Sequence, residues 1–229
     1  MFEWHKEAQK KWDDRADYWN QNSQEMWDEG SRSTILPFFK KHVQSPCKVL
    51  DVGCGDGYGS YKLNQNGYYV TGLDISGQMI EKAKTRGETN KLNFVQGDVR
   101  ELAFSNHEFD AIMAINSLEW TEVPLKALLE LKRVVKLGGY LCIGLLGPTA
   151  MPRANSFPRL YEEEVICNTM MPWELEQLAT ENGLTVIDGH GVYKKDVTTR
   201  HLEGLPNQMK QALTFMWVFM MRKNEALEK

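Results

Sequence analysis

The residues with the most chemical content lie in one short stretch, Asp51-Val52-Gly53-Cys54-Gly55-Asp56-Gly57-Tyr58-Gly59. An apolar run with an acidic residue near its end passes here into a glycine-rich turn and then a helix. Glycines at such a point let the backbone approach a ligand at the carboxyl end of a strand, where doubly wound sheets bind. Asp74 closes the next apolar run, 21 residues after Gly53, where a carboxylate can accept from both hydroxyls of a ribose. Asp98 follows the third run in Gly97-Asp98-Val99, placed to read the amino edge of an adenine. Asp110 opens the fourth run and Asn116 follows its end. A nicotinamide dinucleotide is the competing ligand, and Asp74 would suit it equally. The G-x-G-x-x-G fingerprint fails in both registers, because Tyr58 or Ser60 stands where the third glycine is needed.

The elements that must hold these residues alternate between short apolar runs and helical stretches. Strands are predicted at Lys48–Val52, Tyr69–Leu73, Leu92–Val95, Phe109–Ile115 and Tyr140–Leu146. Helices are predicted at Tyr58–Asn66, Ser76–Arg86 and Pro124–Lys136, the last stopped by Gly138-Gly139. This succession describes a parallel sheet with crossover helices. Residues 148–171 break the rhythm and read as a long loop carrying Arg153 and Tyr161. A helix over Trp173–Asn182, a strand from Leu184 and a last strand around Leu213–Arg222 complete the sheet. Ahead of the first strand, Trp4, Ala8, Trp12, Ala16 and Trp19 recur at the spacing of one helical face. That face either packs on the domain or closes over a ligand.

The glycine turn, Asp74, Gly97-Asp98-Val99, Phe109-Asp110 through Leu118-Glu119 and Leu131–Gly139 resemble the class I S-adenosylmethionine-dependent methyltransferases. The group containing the ubiquinone and menaquinone biosynthesis enzymes is the most similar. The resemblance covers residues 30–147 well and the flanks loosely. It implies an α/β, doubly wound, Rossmann-like sheet of seven strands, mostly parallel with an antiparallel last strand. It also implies an N-terminal helical lid over 1–45 and a methyltransferase domain over 46–229 with a cap insertion at 148–171. The cofactor implied is S-adenosyl-L-methionine, with S-adenosyl-L-homocysteine as product. Carried over, Asp51, Gly53, Cys54 and Gly55 would hold its methionine portion and Asp74 its ribose. Ile75 and Met79 would line the adenine, Asp98 and Val99 would bind its amino edge, and Asn116 would complete the wall. Arg32 matches an arginine that some relatives set against the cofactor carboxylate.

Methyl transfer from a sulfonium chiefly needs alignment and exclusion of water, with a base for some acceptors. Glu119 is the best base candidate, since Trp120 stands where quinone O-methyltransferases carry a histidine. Tyr18, Trp19, Trp120, Arg153 and Tyr161 are the candidate acceptor-pocket residues. The alternatives are a non-catalytic cofactor-binding module and a nicotinamide-dependent oxidoreductase. Composition narrows the partners: 27 Lys and Arg stand against 31 Asp and Glu. Eight of those acids fall in residues 1–30, so no basic patch is set aside for nucleic acid. Cys47, Cys54, Cys142 and Cys167 have neither C-x-x-C nor zinc-ligand spacing, so neither a metal nor a disulfide framework is expected. The start lacks the pattern of a signal peptide, and Leu213 to Met221 is too short for a bilayer span. The expectation is a cytoplasmic enzyme acting on a small-molecule acceptor, with no membrane partner.

Overall fold

Along β1 (Lys48–Val52), β4 (Phe109–Ile115), β5 (Val135–Leu146) and β7 (Thr214–Lys223) most residues are apolar and buried, so both faces of the sheet need covering. The period of two sorts them into two cores. Ala111, Met113 and Ile115 join Met216, Val218 and Met220 on one face, with Phe39, Leu63 and Ile80 from α3 (Ile35–His42), α4 (Tyr58–Gln65) and α5 (Gly77–Lys84). Ile112 and Ala114 join Trp217, Phe219 and Met221 on the other, under Leu128 and Leu175 of α6 (Pro124–Val134) and α7 (Pro172–Glu181). With β2 (Tyr69–Asp74), β3 (Leu92–Gln96) and β6 (Leu184–Tyr193) the computed structural model, which describes residues 2–224, has the strand order β3-β2-β1-β4-β5-β7-β6. All strands run parallel except β7, which pairs antiparallel with β5 and β6 and lies between them. This is the expected sheet. Its order reverses between β1 and β4, which opens a crevice at their carboxyl ends.

Three local expectations are corrected. The helix over Pro124–Lys136 ends at Val134, and β5 begins at Val135. Gly138-Gly139 therefore lies within the strand rather than stopping a helix. Gly138 takes φ +68 there, and a Cβ on Gly139 would lie 2.8 Å from the Asp110 carbonyl. The N-terminal tryptophan face is carried by two helices, α1 (Trp4–Asp13) and α2 (Ala16–Asp28). The break falls where the Asp13 carboxylate leaves its own helix to accept from Ser76 Oγ (2.5 Å) and Gln78 N (3.2 Å) at the start of α5. The stretch read as a loop over 148–171 contains an 11-residue 3-10 helix, Met151–Tyr161, whose Pro152 and Pro158 suit the φ of that helix. Short helices α8 (Thr199–Leu202) and α9 (Asn207–Ala212) fill the β6–β7 connection. No helix among the described residues is long and apolar enough to cross a membrane.

Candidate functional site

The turn after β1 is shaped by backbone bonds before any side chain acts. Gly53 N and Cys54 N donate to the Leu73 carbonyl (2.8 and 3.0 Å), tying the turn to the end of β2. Gly53, Gly55 and Gly57 all take positive φ, where a side chain is strained. Gly55 N donates to Asp74 Oδ2 and Ser76 N to Asp74 Oδ1, each at 2.9 Å, so Asp74 fastens the turn to α5. Burial raises the Asp74 carboxyl to about 6 against those two N–H donors.

The turn forms one side of a cavity of about 900 Å³, its open mouth included, at the carboxyl ends of the strands. Arg32, Gly53, Cys54, Gly55, Asp74, Ile75, Met79, Asp98, Val99 and Asn116 all lie on its wall, as do Trp19 and Trp120. These residues share one cavity. α1 and α2 cross its top with Trp4, Trp12 and Trp19, and Trp120 meets Trp12 edge to face at 5.1 Å. Trp4 Nε1 donates to the Trp120 carbonyl (2.7 Å) and Trp120 Nε1 to the Asn116 carbonyl (2.9 Å). Asn116 takes φ +54, a conformation asparagine tolerates better than most residues.

Other candidates are placed elsewhere. Asp51 lies beneath the turn, accepting from Ser60 Oγ at 2.6 Å, and is absent from the wall. Tyr18 is 62% exposed and Tyr161 70% exposed, both away from the cavity. Arg153 is buried outside it, where its guanidinium donates to the carbonyls of Leu146 (2.5 Å), Gly147 (2.8 Å) and Met170 (2.6 Å). It fastens the insertion to the end of β5. Glu119 is likewise off the wall and fully buried; its Oε1 accepts from Asn116 Nδ2 and Leu146 N, each at 3.2 Å. Burial raises its pKa, and the geometry makes it a clamp between the ends of β4 and β5 rather than a base facing an acceptor. Asp110, at the other end of β4, accepts from Lys48 N (2.8 Å) and Lys136 Nζ (2.5 Å). Asp98 faces the cavity but is forked onto Arg100, with Nη2 to Oδ2 at 2.6 Å. Burial opposes ionisation there, yet the Arg100 hydrogen bonds hold the carboxyl below its usual range. Sequence reasoning missed His5, Ser117 and Arg100 on the wall; none carries a local signal, since the crossing of α1 and the close approach of loops put them there.

The residues fit the cofactor that the resemblance implies. A Cβ on Gly55 would meet only Met79 Sδ, at 3.9 Å, so the turn leaves space for a ligand on that side. Ser117 Oγ and Trp19 Nε1 are buried on the wall without hydrogen-bond partners. A carboxylate for ribose, an Ile75–Met79 surface for a purine and a guanidinium at the far end suit a nucleoside joined to an amino acid. A methyltransferase domain profile matches residues 50–143, from β1 into β5. That stretch is thus similar to methyltransferase domains, in agreement with the class I S-adenosylmethionine-dependent resemblance. Its similarity to the ubiquinone biosynthesis O-methyltransferase of Nitrosospira multiformis is 25% identity, covering 86% of this chain and 90% of that one. With the biotin biosynthesis bifunctional protein BioHC of Teredinibacter turnerae identity is 26%, covering 71% of this chain and 30% of that one. The chain thus spans less than two thirds of the length of several curated relatives, including half of the malonyl-[acyl-carrier protein] O-methyltransferase of Enterobacter lignolyticus. The methyltransferase solved with the Haloferax volcanii Trm112 activator superposes with a TM-score of 0.70 at 19% identity, covering 94% of this chain and 99% of that one. That likeness establishes the shared fold.

Electrostatics beneath the glycine turn give a stability prediction. Burial raises the Asp51 carboxyl to about 7, with the Ser60 hydrogen bond and Arg32 opposing it. Its folded pKa thus exceeds the unfolded value of about 3.9, so the folded chain holds the extra proton between those values. The associated stability is complete below about 4 and is lost as pH rises through about 7. Asp51→Asn keeps an acceptor for Ser60 without the charge. In thermal melts of ligand-free protein it should gain on the parent by on the order of 1–3 kcal/mol between pH 5 and pH 8. A difference that stays constant across that range would refute the assignment.

Proposed function

We propose that the protein is an S-adenosylmethionine-dependent methyltransferase acting on a small-molecule acceptor. The observation that carries this reading is the meeting, in one cavity, of the glycine turn, Asp74, Asp98 and Arg32 beneath four tryptophans. When bound, the cofactor would supply a sulfonium methyl that bonds to an acceptor atom in line as the carbon–sulfur bond breaks, the sulfur leaving as the neutral thioether of S-adenosylhomocysteine. Asp74 accepts hydrogen bonds from the ribose hydroxyls, and Ile75 and Met79 pack on the adenine. Asp98 keeps lone-pair capacity beside its Arg100 fork for the adenine amino group. Arg32 faces the carboxylate of the amino-acid end. Trp4, Trp12, Trp19 and Trp120 exclude water and bound the space in which an acceptor is aligned.

Two features support a small acceptor. The tryptophan side of the cavity is enclosed and apolar, and residues 31–229 balance 23 basic against 23 acidic side chains, without an excess for nucleic acid. The four cysteines are free, which supports the reducing conditions of a cytoplasm. Among the described residues no group of three or more His, Cys, Asp or Glu is placed to hold a metal.

Calorimetry tests the reading directly. The parent should bind S-adenosylmethionine and S-adenosylhomocysteine at micromolar concentrations and NAD far more weakly. Asp74→Ala removes a charged acceptor for two hydroxyls, so both affinities should fall by about 100-fold or more. A preference for NAD, or an undiminished affinity in Asp74→Ala, would overturn the proposal.

A further inference from the structure

In the 3-10 helix of the insertion, Met151–Tyr161, side chains three residues apart stand one above another. Arg153 and Ser156 are buried and form the face turned to the domain. Met151, Ala154, Phe157 and Leu160 form another row at the same spacing. All four are exposed, Met151 to 82%, Phe157 to 55% and Leu160 to 64%. Among the described residues six large apolar side chains are more than half exposed, and four of them, with Tyr161, stand on this one helix. At about 2 Å per residue the apolar ridge is roughly 20 Å long. Exposed apolar side chains concentrated in this way mark an interaction surface.

The two ends of the ridge carry opposite charge. Glu162, Glu163 and Glu164 follow directly on Tyr161, and all three are exposed. At the other end Lys194 Nζ donates to the Thr149 carbonyl (2.6 Å), two residues before Met151, with the exposed Lys195 beside it. Asp196 offsets one of those lysines and Arg159 one of the glutamates, so the ends keep opposite signs. Among the described residues none of Glu162, Glu163, Glu164, Lys194 and Lys195 is in an ion pair within 4.0 Å. The length of the ridge holds the two groups apart.

We propose that a second copy of this chain docks on the ridge, ridge against ridge and antiparallel about a two-fold axis. Charge and size set the register. With the axis between Ala154 and Phe157, Met151 meets Leu160 of the second copy and Ala154 meets its Phe157, a small side chain against a large one. The same register brings the Thr149 end, with Lys194 and Lys195, to the Glu162–Glu164 end of the second copy. A two-fold contact makes every such pairing twice. An anionic surface would be repelled by the glutamates, and a basic one by the lysines. A surface with both signs in reverse order answers both ends, and this chain carries one. A ridge this short covers less than the roughly 800 Å² per partner of a standard interface, so the dimer should be weak, with a Kd of about 10–100 µM.

Sedimentation equilibrium on the full chain tests this. The parent should pass from monomer to dimer between about 1 and 500 µM. Phe157→Asp should stay monomeric over that range and keep the parent's thermal melt, because the side chain it replaces is exposed. The double variants Glu162→Lys/Glu163→Lys and Lys194→Glu/Lys195→Glu should each associate with themselves about 10-fold or more weakly, since each sets like charges at both ends. Mixed in equal amounts, these two variants should form a heterodimer of about parental affinity, because both ends are then opposite in sign. A parent that stays monomeric across the range, a dimer that survives Phe157→Asp, or charge variants that fail to combine would each overturn the proposal. So would a monomeric parent that sediments with equimolar phosphatidylcholine–phosphatidylglycerol vesicles while Phe157→Asp does not, which would make the ridge a lipid-facing surface.

Discussion

Gly55→Ala is expected to abolish measurable S-adenosylhomocysteine binding in a protein that stays folded, while Gly57→Ala, two residues on, is expected to impair folding. Both glycines take positive φ, +56 and +77, so each substitution carries a backbone cost of roughly 1–2 kcal/mol. The surroundings separate them. A Cβ on Gly55 projects toward the cavity, its nearest neighbour Met79 Sδ at 3.9 Å, and would stand where a ligand must approach the turn. A Cβ on Gly57 would lie 2.7 Å from Phe94 Cε1 and 2.8 Å from Ala83 Cβ, between β3 and α5. Overpacking adds roughly 1–3 kcal/mol there, for a total of about 2–5 kcal/mol. Urea unfolding and calorimetry on the two variants measure both effects. Wild-type affinity in Gly55→Ala would mean that the ligand does not lie against the turn.

Glu119→Ala should destabilise the protein by about 3–5 kcal/mol, because it leaves Leu146 N and Asn116 Nδ2 without their acceptor and opens a void at a fully buried site. Glu119→Gln should remain within about 1 kcal/mol of the parent, since an amide keeps an oxygen to accept from Leu146 N and Asn116 Nδ2. The same variant distinguishes a clamp from a base. A general base lost to an amide would lower turnover by about 100-fold or more, whereas a clamp preserved by the amide would leave it within a few-fold. Chemical denaturation gives the first quantity, and S-adenosylhomocysteine release with any accepted substrate gives the second. A large loss of turnover in a stable Glu119→Gln would return Glu119 to the chemistry.

Much of the protein is legible in the sequence because its signals are local. Alternation along Ala111 to Ile115 fixes which side chains face which core, and a period of two survives whatever packs on either side. The glycines of the turn mark positive φ by their type alone, and Asp74 and Asp98 follow strands whose order the crossover rule makes parallel. The cavity-wall residues proposed for a cofactor therefore carry signals that can be read as a set.

What failed depended on orientation and long-range contact. Glu119, three residues beyond Asn116, sits in a single 3-10 turn, and nothing in Leu118-Glu119-Trp120 says which side chain turns toward the cavity. The tertiary structure sends Trp120 there and Glu119 inward, to Leu146 N at the end of β5. Arg153 has the composition of an anion site, but three carbonyls from Leu146, Gly147 and Met170 converge on it only after the insertion folds back. Tyr18 and Trp19 are neighbours, yet a helix turns successive side chains by about 100°, so the docking of α2 buries one indole N–H beside Arg32 and leaves the phenol in solvent. Sequence by itself determined the sheet, the turn and the acids at its strand ends, because backbone conformation and hydrophobic period are set within a few residues. The direction each remaining polar side chain faces was decided only by tertiary packing, because a donor or acceptor is satisfied by whichever distant carbonyl, carboxylate or ring the fold brings within 3 Å.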